Sequence, residues 1–192
     1  MTDLINQAFQ CVMDLTAKYN IDESHSLKHS MEVRQFANDI YDSELEANPH
    51  LVDQKMIILL SAILHDMCDH KYVDVDVGIA EIGRYMCDFP DFPIVAQIIT
   101  TMSYSKVKKN GYPDLGIYQL AYHIVREADL LAAYDIDRCI IFAMSVHKLD
   151  YRDATARANE LFTERVMKYI DDGLFVTEYS KRKAGELHGR VC

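Results

Sequence analysis

The stretch "VDQKMIILLSAILHD", residues 52–66, decides the fold. It opens with Asp53, a negative charge suited to a helix N-terminus, and then becomes apolar on all sides, the pattern of a helix buried centrally. His65 and Asp66 stand at its C-terminal end, where an unpaired charge is expensive to remove from water and a shared cation offsets that cost.

Upstream, Leu4, Ile5, Ala8, Val12, Leu15 and Tyr19 recur at spacings of three and four, which predicts an amphipathic helix over residues 3–19. After a turn at "NIDES", Ser24 or Ser26 caps a second helix running to about residue 46, with His29, Val33, Phe36, Ala37 and Ile40 on one stripe. Downstream, Gly78 to Cys87 reads as a short helix, and Asp91 with Pro93 opens another carrying Val95, Ile98, Ile99 and Met102. "SYSKVKKNGYPD" reads as an exposed loop, Leu115 to Tyr134 as a long helix, 136–149 and 151–171 as two more, and the tail 181–192 as frayed. The single strand candidate, "YVDVDV", is too isolated to build a sheet. The expectation is an all-α, single-domain helical bundle.

Composition narrows the function classes. The net charge of -10 leaves no basic field to attract a nucleic-acid backbone or an anionic membrane. The "KVKK" run, Lys106–Lys109, is too short for a nucleic-acid platform and lacks interleaved aromatics. An acidic chain can still process a phosphorylated substrate if a bound cation supplies positive charge at the reacting centre. The 5 cysteines, Cys11, Cys68, Cys87, Cys139 and Cys192, are odd in number and scattered, which argues against a disulfide framework and against a thiolate zinc site. The stretch "MTDLINQAFQ" shows no basic region followed by an apolar core, so no export is expected, and the apolar run "MIILL" is far short of the roughly 20 residues of a membrane span. A soluble, cytoplasmic protein is expected.

The dipeptide His65-Asp66 means little alone, because 8 histidines in 192 residues meet aspartates by chance. Its context gives it weight. His29 interrupts the apolar stripe of its helix, and Asp129 interrupts "IVREADLLAAY", so three helices point four potential ligands inward. Plainer readings exist for each: His29 as a hydrogen-bonded core residue, His65-Asp66 as a helix terminus, and Asp129 as a surface partner of Arg126. An Asp at a helix C-terminus, however, faces the negative end of the dipole. Asp74 and Asp76 resemble half a calcium loop whose other ligands are missing, and Asp76 reads better as a helix cap.

The order of one His, then adjacent His and Asp, then a distant Asp, each set on its own helix, resembles the HD-domain superfamily of metal phosphohydrolases. The similarity spans about residues 20–140. It is carried further by "DESHSLKHSMEV", "LLSAILHDMCDHKY", "MSYSK" and "EADLL", which look like segments of a bacterial subgroup that includes nucleoside triphosphate pyrophosphohydrolases. The resemblance implies an HD domain with its core at 20–140 and added helices at 136–171. It also implies one divalent metal on His29, His65, Asp66 and Asp129, with two octahedral positions left for water and a substrate oxygen. Two nitrogens and two carboxylate oxygens favour Mn²⁺, with Fe²⁺, Co²⁺, Ni²⁺, Mg²⁺ or Zn²⁺ also compatible.

The implied reaction is hydrolysis of a nucleotide phosphoanhydride by a metal-activated water. Phosphomonoesterase or phosphodiesterase activity, or a non-catalytic nucleotide-binding regulator, are the alternatives. Asp69 is the candidate to move protons, and Lys71, just past the helix, to neutralise phosphate charge; a lysine occurs at that place in the resembling subgroup too. Ser103, Ser105, Lys106 and Arg138 are candidate substrate contacts, and His25, one turn before His29, is a candidate to line the pocket. The chain departs from the subgroup after the last Asp, where "LLAAYDIDR" replaces a Gly-containing turn. Apolar faces over 139–170 permit a homodimer.

Overall fold

The computed structural model describes residues 2–191. Helices α1 (Thr2–Tyr19) and α2 (Leu27–Glu44) are followed by a 3-10 turn over Pro49–Gln54, which leads into α3 (Lys55–Leu64). Then come α4 (Val75–Tyr85), α5 (Phe92–Thr101), α6 (Tyr104–Asn110), α7 (Gln119–Ala132), α8 (Ile136–Ser145), α9 (Tyr151–Glu164) and α10 (Glu178–Val191), with no strand among the described residues. The chain adopts the all-helical architecture that its periodicity predicts.

Every residue from Ile57 to Leu64 is buried, because α1, α2, α5 and α7 pack around α3. Each surrounding helix turns one apolar stripe to it: Ala8, Cys11, Val12 and Leu15 from α1, Val33, Ala37 and Ile40 from α2, and Ala121, Ile124, Val125 and Ala128 from α7. Burying one such aliphatic side chain stabilises the fold by roughly 1.5–3 kcal/mol, so the packing round α3 makes a stiff platform. α8 and α9 form a hairpin outside it, with α8 also resting on the 3-10 turn Glu23–His25.

No glycine or proline ends α3. Instead the chain tightens: Met67 N–H donates to Leu64 O at 3.0 Å and Asp69 N–H to Asp66 O at 3.1 Å, each spanning three residues rather than four. The tightening turns His65, Asp66, Asp69 and Lys71 towards one cavity. α4 closes over this segment at Gly78, where a Cβ would lie 2.8 Å from Cys68 Cα, so only glycine permits the approach.

Four local expectations are corrected. "YVDVDV" is not extended: α4 already begins at Val75, and Asp74 rather than Asp76 caps it, accepting from the Asp76 and Val77 amides at 3.0 and 3.2 Å. "SYSKVKKN" is not a loop but α6, sealed by Val107. Ser26 occupies the α2 cap position, yet its hydroxyl donates to Glu23 O at 3.3 Å and caps no amide. The tail is α10, seated on α7 and α2 through the fully buried Ala184. The free cysteines Cys11 and Cys68 are buried, Cys139 is half-buried and Cys87 is exposed; Cys192 lies outside the described residues. Among the described residues no helix is long and apolar enough to cross a membrane.

The tail is ordered because two neighbouring charges on α7 hold the segment before it. Arg126, expected as an alternative partner of Asp129, is buried and donates to Leu174 O at 2.9 Å instead. Glu127, fully buried, accepts from Val176 N at 2.7 Å, Thr177 N at 3.2 Å and Thr177 Oγ1 at 2.6 Å. Glu127→Ala strands these buried donors, so a stability loss of about 3 kcal/mol is expected in urea unfolding. Limited proteolysis should cut first near residues 172–177, and an unchanged urea midpoint would refute the anchoring role.

Candidate metal centre

His29, from the first turn of α2, and His65, at the end of α3, are both buried, with their Nε2 atoms 3.1 Å apart. Asp66 Oδ2 lies 3.3 Å from His29 Nε2 and 3.2 Å from His65 Nε2. Asp129 Oδ1, from α7, lies 3.4 and 3.6 Å from the same two nitrogens. Donors that share one ion at about 2.1 Å sit about 3 Å apart when they occupy adjacent octahedral positions. The measured separations are of that size: His29, His65 and Asp66 group as one donor set, and Asp129 Oδ1 faces its two nitrogens.

Two further features favour an ion over a self-contained hydrogen-bond network. Asp66 Oδ2 is buried and has no hydrogen-bond partner, although two imidazole nitrogens lie near it: the groups face a common point rather than one another. His65 Nδ1 contacts the Ala62 carbonyl at 2.9 Å; a carbonyl only accepts, so Nδ1 donates there and Nε2 is the nitrogen left facing the centre. Two nitrogens and two carboxylate oxygens could hold any of several divalent ions.

Around this set lies a second constellation. His25 Nδ1 lies 2.6 Å from Ser24 Oγ and 3.1 Å from Tyr72 Oη. Both hydroxyls already donate to Asp22, Ser24 to Oδ1 at 2.6 Å and Tyr72 to Oδ2. Each has one proton, so towards His25 they accept. Nδ1 is therefore the protonated nitrogen, and Nε2 points its lone pair at Lys71 Nζ, 3.3 Å away. Burial, chiefly, pushes the His25 pKa down to about 4, consistent with a neutral ring. Lys71 Nζ donates to Asp69 Oδ2 at 2.8 Å, while Asp69 Oδ1 accepts from Lys71 N at 3.0 Å. His25, expected as a pocket residue, does line it.

The centre opens into a cavity of about 380 Å³, and the remaining sequence candidates, Ser103, Ser105, Lys106 and Arg138, all line it. Lys106 Nζ donates to Thr100 O at 2.7 Å and Arg138 Nε to Ser24 O at 2.8 Å, which fixes both cations in place. Sequence reasoning missed Arg157 and Arg165 of the α9 region and His147 after α8. No motif marks them; they arrive because the α8–α9 hairpin folds back over the centre. Arg165 is held on the Tyr104 ring at 4.4 Å, and its Nε donates to Tyr169 Oη at 3.0 Å. The cavity thus carries Lys71, Lys106, Arg138, Arg157 and Arg165 against Asp66, Asp69 and Asp129, a cationic lining in a chain of net charge -10. No family model, curated protein or solved structure matches this chain.

The metal-free centre has a definite pH signature. Burial opposes charge on His65, but Asp66 and Asp129 outweigh it and push its pKa up to about 10. Burial likewise opposes ionisation of Asp66 and Asp129, yet the neighbouring imidazoles hold both carboxyls well below their usual range. The raised His65 value contributes stability that is complete below the unfolded pKa of 6.5 and is lost as pH rises towards about 10. The depressed Asp values contribute stability that is present above 3.8 and lost as pH falls through the folded values. With chelator present, the urea midpoint is therefore expected to fall between pH 6.5 and 10, and His65→Asn to flatten that limb. An identical slope in the variant would refute the assignment.

Proposed function

We propose that this protein is a divalent-metal-dependent phosphohydrolase of the HD-domain type, acting on a phosphoanhydride bond of a nucleotide. The observation that carries the reading is that His65, Asp66 and Asp129, with His29 buried behind them, lie against a cation-lined cavity of about 380 Å³. A cavity of that size takes a ligand larger than a single phosphate, and its lining suits an extended anion. Mn²⁺ is the favoured ion. When bound, the ion supplies an acidified water, with pKa near 7 in well-studied centres, and polarisation of a phosphoryl oxygen.

The chain's own residues supply the rest. Arg138 and Arg165 have their Nε atoms engaged with protein oxygens, so each presents a pre-oriented guanidinium edge to phosphate oxygens at little entropic cost. Lys71 neutralises charge that develops as the phosphorus–oxygen bond breaks. Asp69, whose carboxylate is already positioned by the Lys71 amide and ammonium, takes the proton released by the attacking water.

Incubation of the Mn²⁺-loaded protein with nucleoside triphosphates, diphosphates and simple phosphomonoesters should release pyrophosphate or phosphate from a nucleotide. Absence of turnover with every member of the panel would refute the reading. Chelation, His65→Ala and Asp66→Ala should each abolish metal uptake and turnover together. Arg165→Ala should raise KM roughly tenfold with kcat little changed, because it removes a charge-assisted contact made in both ground and transition states.

A further inference from the structure

Asp66 belongs to two groups of potential ligands: one with His29 and His65, the other with His25 and Asp69, whose donor atoms all lie within 4.8 Å of one another. The second group is built as carefully as the first. His25 is locked by Ser24, Tyr72 and Asp22 in the tautomer that aims a bare Nε2 at the group's centre, the arrangement that a metal-ligating imidazole requires. Asp69 is held by the Lys71 amide. A positive charge is also already there: Lys71 Nζ sits 2.8 Å from Asp69 Oδ2 and 3.3 Å from His25 Nε2.

We propose that the Lys71 ammonium fills a second cation position, formed by His25, Asp66 and Asp69 beside the first, and thereby limits the centre to one divalent ion per chain. The inference rests on the metal centre proposed above and adds how many ions it takes. The charge balance supports it. Asp66 and Asp69 share the second group and Asp129 faces the two imidazoles of the first; one dication and one ammonium neutralise these three carboxylates, whereas a second dication beside Lys71 would overcharge the site. Like charges a few ångströms apart in a partly dehydrated cavity repel strongly, so the ammonium excludes a competitor. A lysine is a compact point charge on a flexible stem and can occupy such a position without the geometric demands of an ion.

Removing that charge while keeping the stem's bulk should convert the site. After loading with excess Mn²⁺ and gel filtration, elemental analysis should find one equivalent per chain in the wild type and in Lys71→Arg, and two in Lys71→Met. The second ion should give an exchange-coupled Mn²⁺ spectrum, and Lys71→Met/Asp69→Asn should return to one equivalent. Lys71 is partly exposed, so folding should survive, with Lys71→Gln as the second neutral variant if melting curves show otherwise. Two equivalents in the wild type would overturn the exclusion, and one in both neutral variants would overturn the second position while leaving the first centre intact. No metal in the wild type would overturn the centre itself.

Discussion

The convergence of two imidazoles and two carboxylates at separations of 3.1–3.6 Å inside a helical bundle is the constraint on which the rest of the structure depends. Such a cluster is costly to bury, because each charged group gives up water and the protein returns too few hydrogen bonds to replace it. It survives only on a scaffold that cannot relax away from it. The apolar interior of α3, packed on α1, α2, α5 and α7, provides that stiffness, and the tightened turns after Leu64 deliver His65 and Asp66 together without a helix-breaking residue. His29 and Asp129 arrive from α2 and α7, which pack on each other and on α3.

This explains what could be read from the chain. α3 was legible because nothing but a central helix tolerates apolar residues on every side. His29 and Asp129 were legible as polar interruptions of apolar stripes, since a polar residue on a buried face needs a partner. The misread elements share the opposite property. α6 spans Tyr104–Asn110, has one buried residue, Val107, and is secured by Lys106 reaching back to Thr100 O and Arg165 lying on Tyr104. α10 is polar on most faces and is ordered by Ala184 and by the Glu127 contacts to Val176 and Thr177, fifty residues away in sequence. Their stability is tertiary, and local periodicity carries no trace of it. The start of α4 was misplaced for a local reason: alternating Val and Asp imitates a strand until Asp74 turns its carboxylate onto the next amides.

The same division separates the two halves of the candidate site. Its donor set sits on the core helices and the end of α3, and that half was readable as polar intrusions into apolar helices, the ligand roles being what the family resemblance implies. The cationic wall comes mostly from α6, α8 and the α9 region, whose side chains are mostly exposed or half-buried and whose approach is set by how a hairpin folds back. Arg165 lies at the end of α9, far in sequence from any ligand, and nothing in "FTERVMK" distinguishes it from a solvated arginine. The alternative pairing of Arg126 with Asp129 fails for a related reason: a spacing of three on a helix permits a contact, but Arg126 is drawn instead to an unpaired carbonyl at Leu174.

Local and global charge therefore act on different scales. The net charge of -10 opposes the approach of anions at a distance. Within the cavity, five cationic side chains outnumber three carboxylates, and screening beyond about 10 Å in salt isolates that interior field from the acidic exterior. On the reading proposed here, recognition is short-ranged: a small anion pays no penalty once past the rim, whereas a nucleic-acid backbone, which must lie along the outer surface, gains nothing. Because Lys106, Arg138, Arg157 and Arg165 belong to α6, α8 and the α9 region and the proposed ligands to α2, α7 and the end of α3, substitutions in that wall can, on this reading, retune which anion is held without disturbing the helices that define the centre.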